Sequence, residues 1–297
     1  MTKDLVTSYL AFWGLKAPVF DRPYESFKDY FHFVENANTI KHAQFALTQN
    51  TPVLAISGQK GAGKTAAGLY LYQKLPTDNC EALFIKGPLK AAPFSFVSDK
   101  VYSYFGLENQ PEGFARLCSE LQEEKRRLYV FVDDADIFKD SFFRDLKGIL
   151  KEAAGWLTFV LIGGESLLER VLELKGEFFK LEPISKGGAR RYLLDALEKA
   201  GLSENTFSEE MVSLLYEKAN GNFKNLRQLA EQTLFAGFLD EEKNLTIEHL
   251  PKSIRKNIEK THKNPQLAVL EGKEEEPVKE GDKFSELLLF MEDKESG

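Results

Sequence analysis

The segment GQKGAGKT at residues 58–65 limits the fold of this chain more than any other feature. It matches the pattern G-x-x-x-x-G-K-[ST], and a chance match in a chain of this length is roughly 1 in 100 at average residue frequencies. The apolar run TPVLAIS precedes it, and TAAGLYLYQKL, with helical spacing, follows it. A glycine-rich loop between a strand and a helix is the setting in which this pattern surrounds phosphate groups. An ordinary glycine-rich turn is the alternative interpretation.

Each residue type in this loop has a physical role toward a nucleoside triphosphate. Gly58, Gly61 and Gly63 let the backbone curl so that successive N–H groups face a phosphate, and the helix start adds its positive end. We expect Lys64 to act in catalysis by bridging the β- and γ-phosphates, and Thr65 to offer its hydroxyl to Mg²⁺. ATP and Mg²⁺ are therefore the expected cofactors. The predicted nucleotide-binding residues of the loop are Gly58, Gln59, Lys60, Gly61, Ala62, Gly63, Lys64, Thr65 and Ala66.

The segment LYVFVDDADIF at residues 128–138 supplies the acidic side chains of the predicted site. Asp133 follows the apolar run YVFV, about 70 residues after the loop. An aspartate at the end of such a strand holds Mg²⁺ in nucleotide-hydrolysing enzymes with this loop, so Asp133 is the predicted metal residue. A surface aspartate at a strand end is the alternative.

Asp134 stands where such hydrolases usually have a glutamate that polarises the attacking water. Aspartate is one methylene shorter, and a misplacement of about 1 Å can cost on the order of 100-fold in rate. We therefore predict that Asp134 is either a slow catalytic base or part of the outer shell of the metal. Asp136 and Asp140 are expected to face solvent, although Asp136 is close enough in sequence to compete for the role of base.

Strands and helices alternate along most of the chain. Strands are predicted at 51–57, 81–87, 128–134 and 156–164, with helical spacing between them. This alternation predicts an α/β fold in which helices cover both faces of a parallel sheet. After Pro183 the remaining apolar segments have helical spacing only, which predicts a second, smaller domain that is all helical.

These patterns divide the chain into four predicted segments. Residues 1–50 form an aromatic leader packed on the core, 51–182 the core with the phosphate loop, and 183–260 the helical domain. Residues 261–297 form an acidic, disordered tail. An apolar cluster at 284–291 within this tail is either a docking peptide or a segment that packs on its own domain.

Composition indicates a globular protein without a membrane span. The chain is 43% hydrophobic and 29% charged, has no run of about 18 apolar residues, and lacks a secretory signal. Cys80 and Cys118 match no metal spacing, so we expect reduced thiols and a cytoplasmic location. The net charge of −7 neither requires nor excludes a nucleic-acid partner.

Several segments in a fixed order resemble one known family. They are YLAFWGLKAPVF, the loop at 58–65, FVDDADIF, LTFVLIGGESLLERVL, FFKLEPISKGGARRYLLDALEKAGL and FSEEMVSLLYEKANGNFKNLRQLAEQTLFAGF. In these segments the chain resembles the AAA+ ATPases of the general secretion family typified by ExeA (GspA), with MSHA pilus-type relatives. Similar modules serve as transposition regulators of the TniB, TnsC and MuB kind. The resemblance covers about residues 8–240 and implies an AAA+ core followed by a helical lid.

The resemblance also implies that a basic residue of the lid reaches the nucleotide. Counting from Gly221, the family arginine falls on Lys224, and Arg227 lies one helical turn further on. Either side chain could sense the γ-phosphate, and two solvated basic residues are the alternative.

Two further departures from the family concern hydrolysis. Gly163 and Gly164 stand where many AAA+ proteins have a polar side chain that positions water. The arginine that the family supplies to a neighbouring subunit falls at about Lys175, with Arg170 as a substitute. An arginine in that role can be worth 10³–10⁵ in rate, and lysine lacks its planar fork. These changes favour slow turnover without removing nucleotide binding.

Three functions follow from these expectations. The first is a cytoplasmic AAA+ ATPase that assembles with other copies of itself and uses slow hydrolysis to assemble or remodel a complex with an unknown protein partner. The second is a nucleotide-gated scaffold with negligible hydrolysis. The third is an ATP-dependent DNA-binding regulator, suggested by basic residues within 251–263 that could touch phosphates. These basic residues are Lys252, Arg255, Lys256, Lys260 and Lys263, and a solvated helix end is the alternative.

Overall fold

The computed structural model describes residues 2–20, 36–49, 51–76, 78–88, 90–107, 113–153 and 155–255. The chain divides into a helical unit, Met1–Pro23 with Ser185–Gly297, and a sheet unit, Tyr24–Ile184. The predicted tail at 261–297, with its apolar cluster at 284–291, lies outside the described residues. Within the described ranges, no helix is both long enough and apolar enough to span a membrane.

The regular elements of the described residues are ten α-helices and five strands. The helices are α1 (Thr2–Trp13), α2 (Ala37–Thr48), α3 (Lys64–Gln73), α4 (Ser95–Phe105), α5 (Gly113–Glu123), α6 (Asp140–Glu152), α7 (Leu167–Glu173), α8 (Lys186–Lys199), α9 (Glu209–Ala219) and α10 (Phe223–Leu239). The strands are β1 (Val53–Gly58), β2 (Cys80–Ile85), β3 (Arg127–Val132), β4 (Leu157–Gly163) and β5 (Glu177–Leu181).

The sheet unit is built on one parallel sheet with the strand order β2-β3-β4-β1-β5. Strands β1 and β4 are buried along their whole length, as expected for central strands that are covered on both faces. On one face, Val130 and Leu161 share a core cluster with Leu146 of α6. On the other face, α3 packs so closely that a Cβ atom at Gly68 would lie 2.2 Å from Ile162 Cδ1. The predicted α/β fold with a parallel sheet between helices is confirmed.

Strand β5 has no counterpart among the strands predicted from the sequence. It lies at the edge of the sheet and pairs only with β1 among the described strands. Phe178 and Phe179 are half-buried, whereas Glu177 and Lys180 are exposed. Because the strand has five residues and two of them are charged, it has no continuous apolar run to reveal it.

The end of β3 also differs from the prediction. The strand expected over 128–134 ends at Val132, so Asp133 and Asp134 both lie beyond it. Asp134 has φ 50° and ψ 39°, which is a left-handed conformation that ends the strand and begins a short 3₁₀ turn, Ala135–Ile137.

The helical unit consists of α1 together with α8, α9 and α10. Side chains cap three of these helices, because Ser185, Ser208 and Asn222 each accept a hydrogen bond from a backbone N–H three residues on. The aromatic leader predicted over 1–50 is divided between the units rather than packed as one segment on the core. Helix α1 belongs to the helical unit and α2 to the sheet unit.

Candidate nucleotide-binding site

The loop between β1 and α3 has the backbone that phosphate binding requires. Gly61 and Gly63 have φ values of 82° and 89°, a region that residues with a Cβ atom rarely adopt. A Cβ atom at Gly58 would lie 2.7 Å from the Leu181 carbonyl oxygen. The first N–H groups of α3 have no acceptor within the helix, and they lie directly beyond this loop. The loop and helix start therefore form an anion-binding arrangement.

Lys64 folds back over the loop that precedes it. Its Nζ atom donates to the carbonyl oxygens of Gly58 and Gln59, at 3.0 Å each. Burial lowers the pKa of Lys64, and three nearby carboxylates act in the opposite direction. The largest of these opposing contributions comes from Asp136, followed by Asp133 and Asp134.

Thr65 and Asp133 meet across two neighbouring elements. Thr65 Oγ1 donates to Asp133 Oδ1 at 3.2 Å, and the Asp134 amide donates to the same oxygen at 3.1 Å. Asp133 is only 7% exposed. Burial raises the pKa of its carboxyl group, and the hydrogen bond from Thr65 acts in the opposite direction.

This pair fits Mg²⁺ by the chemistry of its donors. A carboxylate and a hydroxyl are the oxygen ligands that Mg²⁺ prefers, and a nearby cation would favour the ionised carboxylate. Within the described ranges, no group of three or more His, Cys, Asp or Glu side chains could hold a metal. Mg²⁺ in nucleotide sites takes most of its ligands from phosphate and water, so one or two protein oxygens are enough to hold it.

The two aspartates after Asp133 lie beside different neighbouring strands of β3. A Cβ atom at Gly87, just after β2, would lie 2.9 Å from Asp134 Cβ. Cβ atoms at Gly163 and Gly164 would lie 2.6 Å from Asp136 Oδ1 and 2.9 Å from Asp136 Oδ2. Because β2 and β4 flank β3, Asp136 lies on the side of β1 and the phosphate loop. Asp136 is exposed, as predicted, but the contact of its carboxylate with the end of β4 was not predicted.

The two lid candidates belong to the helical unit. Lys224 is exposed in the first turn of α10. Arg227 Nε donates to the Phe20 carbonyl oxygen at 2.6 Å and so ties α10 to the N-terminal segment. Contact of either residue with the γ-phosphate stays a prediction.

Arg170 has partners within its own unit. Its guanidinium donates to Asp140 Oδ1 at 2.8 Å and to the Phe138 carbonyl oxygen at 3.4 Å, and it lies 4.6 Å from the centre of the Phe143 ring. Lys175 lies in the turn after α7 with φ 57°. A role for either residue at a neighbouring subunit stays a prediction.

Comparison with known proteins supports the interpretation of the sheet unit. A family model described as an AAA domain matches residues 47–171, which include the loop and Asp133. A search of curated proteins found no significant match.

Three solved structures have a similar fold. The Cdc6p structure from Pyrobaculum aerophilum has a TM-score of 0.61 at 15% identity, covering 75% of this chain and 67% of that chain. A structure of Drosophila ORC bound to DNA has a TM-score of 0.56 at 18% identity, covering 80% of this chain and 67% of that chain. The RuvB T158V structure from Thermotoga maritima has a TM-score of 0.53 at 14% identity, covering 76% of this chain and 70% of that chain.

The parallel sheet, the phosphate loop after β1 and the buried aspartate after β3 define a P-loop NTPase fold. The family model for an AAA domain matches this part of the chain, and the three solved structures share its fold. The sheet unit therefore has an AAA+ P-loop NTPase fold. The comparisons do not single out the general secretion family within that class.

Proposed function

We propose that this protein binds Mg–ATP at the loop of residues 58–65 and hydrolyses it slowly to assemble or remodel a partner complex. The observation that carries the proposal is the 3.2 Å hydrogen bond from Thr65 Oγ1 to Asp133 Oδ1. It brings two predicted Mg²⁺ ligands together beside the lysine of a phosphate loop.

Each residue of the site has a distinct task in this proposal. The loop N–H groups hold the phosphates, and Lys64 exchanges its carbonyl partners for β- and γ-phosphate oxygens. Thr65 and Asp133 hold Mg²⁺, which neutralises charge on the phosphates during transfer. A carboxylate from the turn after Asp133 positions the attacking water. Lys224 or Arg227 senses the γ-phosphate from the lid.

Slow turnover is part of the proposal. Asp134 replaces the usual glutamate, and its Cβ atom lies beside Gly87. Arg170, the substitute for the missing family arginine, contacts Asp140 and Phe138 of its own chain. We further propose that other copies of the chain complete the site in a nucleotide-dependent oligomer, with a general-secretion or pilus-type partner. The two free thiols, Cys80 and Cys118, support a cytoplasmic location.

Steady-state phosphate release tests the hydrolysis proposal. We expect wild type to release phosphate. The rate of phosphate release should be at least about 100-fold lower in Lys64→Ala, since electrostatic stabilisation of the phosphoryl group is lost. Lys74→Ala removes an exposed positive charge from the end of the same helix and should retain the wild-type rate. If wild type binds ATP but releases no more phosphate than Lys64→Ala, the protein is a nucleotide-gated scaffold and the hydrolysis proposal is wrong.

An ATP-dependent DNA-binding regulator is the second candidate, because one similar structure is of Drosophila ORC bound to DNA. Most of the basic stretch at 251–263 lies outside the described residues, and Arg255 contacts Glu248 at 3.5 Å. DNA retardation at low salt that increases with ATP and weakens as salt rises would support this candidate. No retardation at low salt would remove it.

A further inference from the structure

The end of β4 holds a carboxylate in place of the polar side chain expected there. At Gly163, a Cβ atom would lie 2.6 Å from Asp136 Oδ1 and 3.0 Å from the Asp136 amide nitrogen. At Gly164, it would lie 2.9 Å from Asp136 Oδ2. We call Gly163 and Gly164 the glycine seat. Because neither residue has a side chain, the Asp136 carboxylate occupies the space beside the end of β4.

The position of Asp136 depends on the turn that precedes it. Asp134 has a left-handed backbone, and its Cβ atom lies beside Gly87, just after the end of β2. The following 3₁₀ turn then brings Asp136 back across the end of β4. The carboxylate beside β4 thus comes from the third residue after Asp133.

The surroundings of the glycine seat suit a reacting water molecule. Asp136 is exposed, so solvent reaches its carboxylate. The Asp136 carboxylate lies on the β4 side of β3, which is the side of β1 and the phosphate loop. Ser57 pairs in register with Gly163 and so points to the same face of the sheet. The Ser57 hydroxyl is buried and has no hydrogen-bond partner among the described residues. The seat therefore has a second polar group on its own face.

We infer that Asp136, held at the glycine seat, is the catalytic base of ATP hydrolysis in this protein, in place of Asp134. The inference rests on the proposed hydrolysis and assigns its water-activating residue. Asp136 accepts a proton from water while the water oxygen bonds to the γ-phosphorus. The bond from that phosphorus to the β–γ bridging oxygen breaks, and its electron pair leaves with ADP. The proton then passes from Asp136 to bulk water.

Matched aspartate substitutions test this assignment. Asp136→Asn keeps the size of the side chain and removes its basicity, so kcat should fall about 100-fold, within the usual range for a general base. The Kd for Mg–ATP should change by less than about threefold. Asp134→Asn should lower kcat by a smaller factor, about threefold. Asp145 is an exposed carboxylate on α6, and Asp145→Asn should leave kcat unchanged. A loss in Asp134→Asn equal to or larger than that in Asp136→Asn overturns the assignment.

The glycine seat provides an independent variant that leaves every carboxylate in place. In Gly164→Ala the new methyl group would meet the end of the Asp136 side chain, with no backbone atom among its nearest contacts. We expect this variant to displace the carboxylate, to lower kcat at least about tenfold and to preserve the Kd for Mg–ATP. In an Asp136→Asn background the same change should have no further effect on kcat. Additive losses would show that the seat acts through something other than Asp136.

Binding of phosphate analogues separates failure of this inference from failure of the proposed function. ADP with aluminium fluoride mimics the transferring phosphoryl group with its water, whereas ADP with beryllium fluoride mimics the ground state. Asp136→Asn should weaken the aluminium fluoride complex at least about tenfold more than the beryllium fluoride complex. Equal weakening overturns the role of Asp136 even if wild-type turnover is too slow to follow. Absence of nucleotide binding in wild type, by contrast, overturns the proposed function and this inference with it.

Discussion

Asp133 and Asp136 both follow strand β3, and their carboxylates contact different partners. Asp133 accepts a hydrogen bond from Thr65 of α3, and the Asp136 carboxylate lies against Gly163 and Gly164 of the β4 end. The sequence shows all of these residues but not their directions. Asp134 lies between these two aspartates, and no periodic pattern encodes its φ of 50°. In the sequence, the two consecutive glycines at the end of β4 indicate that a neighbouring side chain fills the space beside them.

A pH dependence is expected at Cys118, on a different part of the sheet unit. This thiol is 5% exposed, and burial raises its pKa from 9.0 to about 11. Between pH 9 and 11 the unfolded chain therefore loses this proton while the folded chain keeps it. The contribution of Cys118 to folding stability is present below pH 9 and falls as the pH rises toward 11.

Alkylation followed by mass spectrometry measures the raised pKa of the Cys118 thiol. In native protein at pH 8, we expect iodoacetamide to modify the partly exposed Cys80 before Cys118. In a Cys80→Ser variant, the modification rate of Cys118 should rise about tenfold per pH unit up to about pH 11, because the thiolate is the nucleophile. Faster modification of Cys118 than Cys80 at pH 8 would contradict the burial described here.

Among the elements, the central strands could be predicted from the sequence and the edge strand could not. Strands β1, β3 and β4 are almost entirely buried, so each appears as a mostly apolar run. Strand β5 is exposed at Glu177 and Lys180, and its pairing with β1 depends on residues more than 100 positions away. The phosphate loop could be predicted because the residues that form its turn are consecutive in the sequence. The glycine seat could not, because it depends on the register of β3 against β4.

Helix α3 should be sensitive to side-chain size where it crosses the sheet. In Gly68→Ala the new methyl group would lie 2.2 Å from Ile162 Cδ1, so we expect a loss of about 1–3 kcal/mol in the free energy of unfolding. Gly148→Ala in α6 is the matched control, because a Cβ atom there meets nothing within 4 Å. That change should stabilise the protein by about 0.5–1 kcal/mol. Urea unfolding measures both values, and equal effects of the two substitutions would contradict the close packing of α3.

At the scale of the whole molecule, the N-terminal segment is part of the helical unit. Tyr9 and Glu231, 222 residues apart in sequence, are joined by a 2.6 Å hydrogen bond from the tyrosine hydroxyl. Glu231 also accepts from the Phe20 amide at 3.1 Å, and Trp13 Nε1 donates to the Leu234 carbonyl oxygen at 3.2 Å. Burial raises the pKa of Tyr9, with the Glu231 charge acting in the same direction. No local sequence pattern predicts a contact over this separation.

Removing the Tyr9 hydroxyl should destabilise the helical unit. Tyr9→Phe leaves the buried Glu231 with one donor fewer, and we expect a loss of about 1–3 kcal/mol in the free energy of unfolding. Tyr104→Phe is the matched control, since it removes a 2.8 Å hydrogen bond to Glu81 at an exposed position. It should change the free energy by less than about 0.5 kcal/mol. Urea unfolding followed by circular dichroism compares the two, and an equally small effect of Tyr9→Phe would contradict the buried contact.

The most direct test of the central claim is calorimetric titration of the 297-residue chain with ATP in the presence of Mg²⁺. The loop at 58–65, with Asp133 beside Thr65, predicts saturable binding at one site per chain. This binding should weaken at least about tenfold in Lys64→Ala and lose its Mg²⁺ dependence in Asp133→Asn. Wild-type protein that takes up neither ATP nor ADP with Mg²⁺ present, or that binds them equally well after Lys64→Ala, would contradict the account.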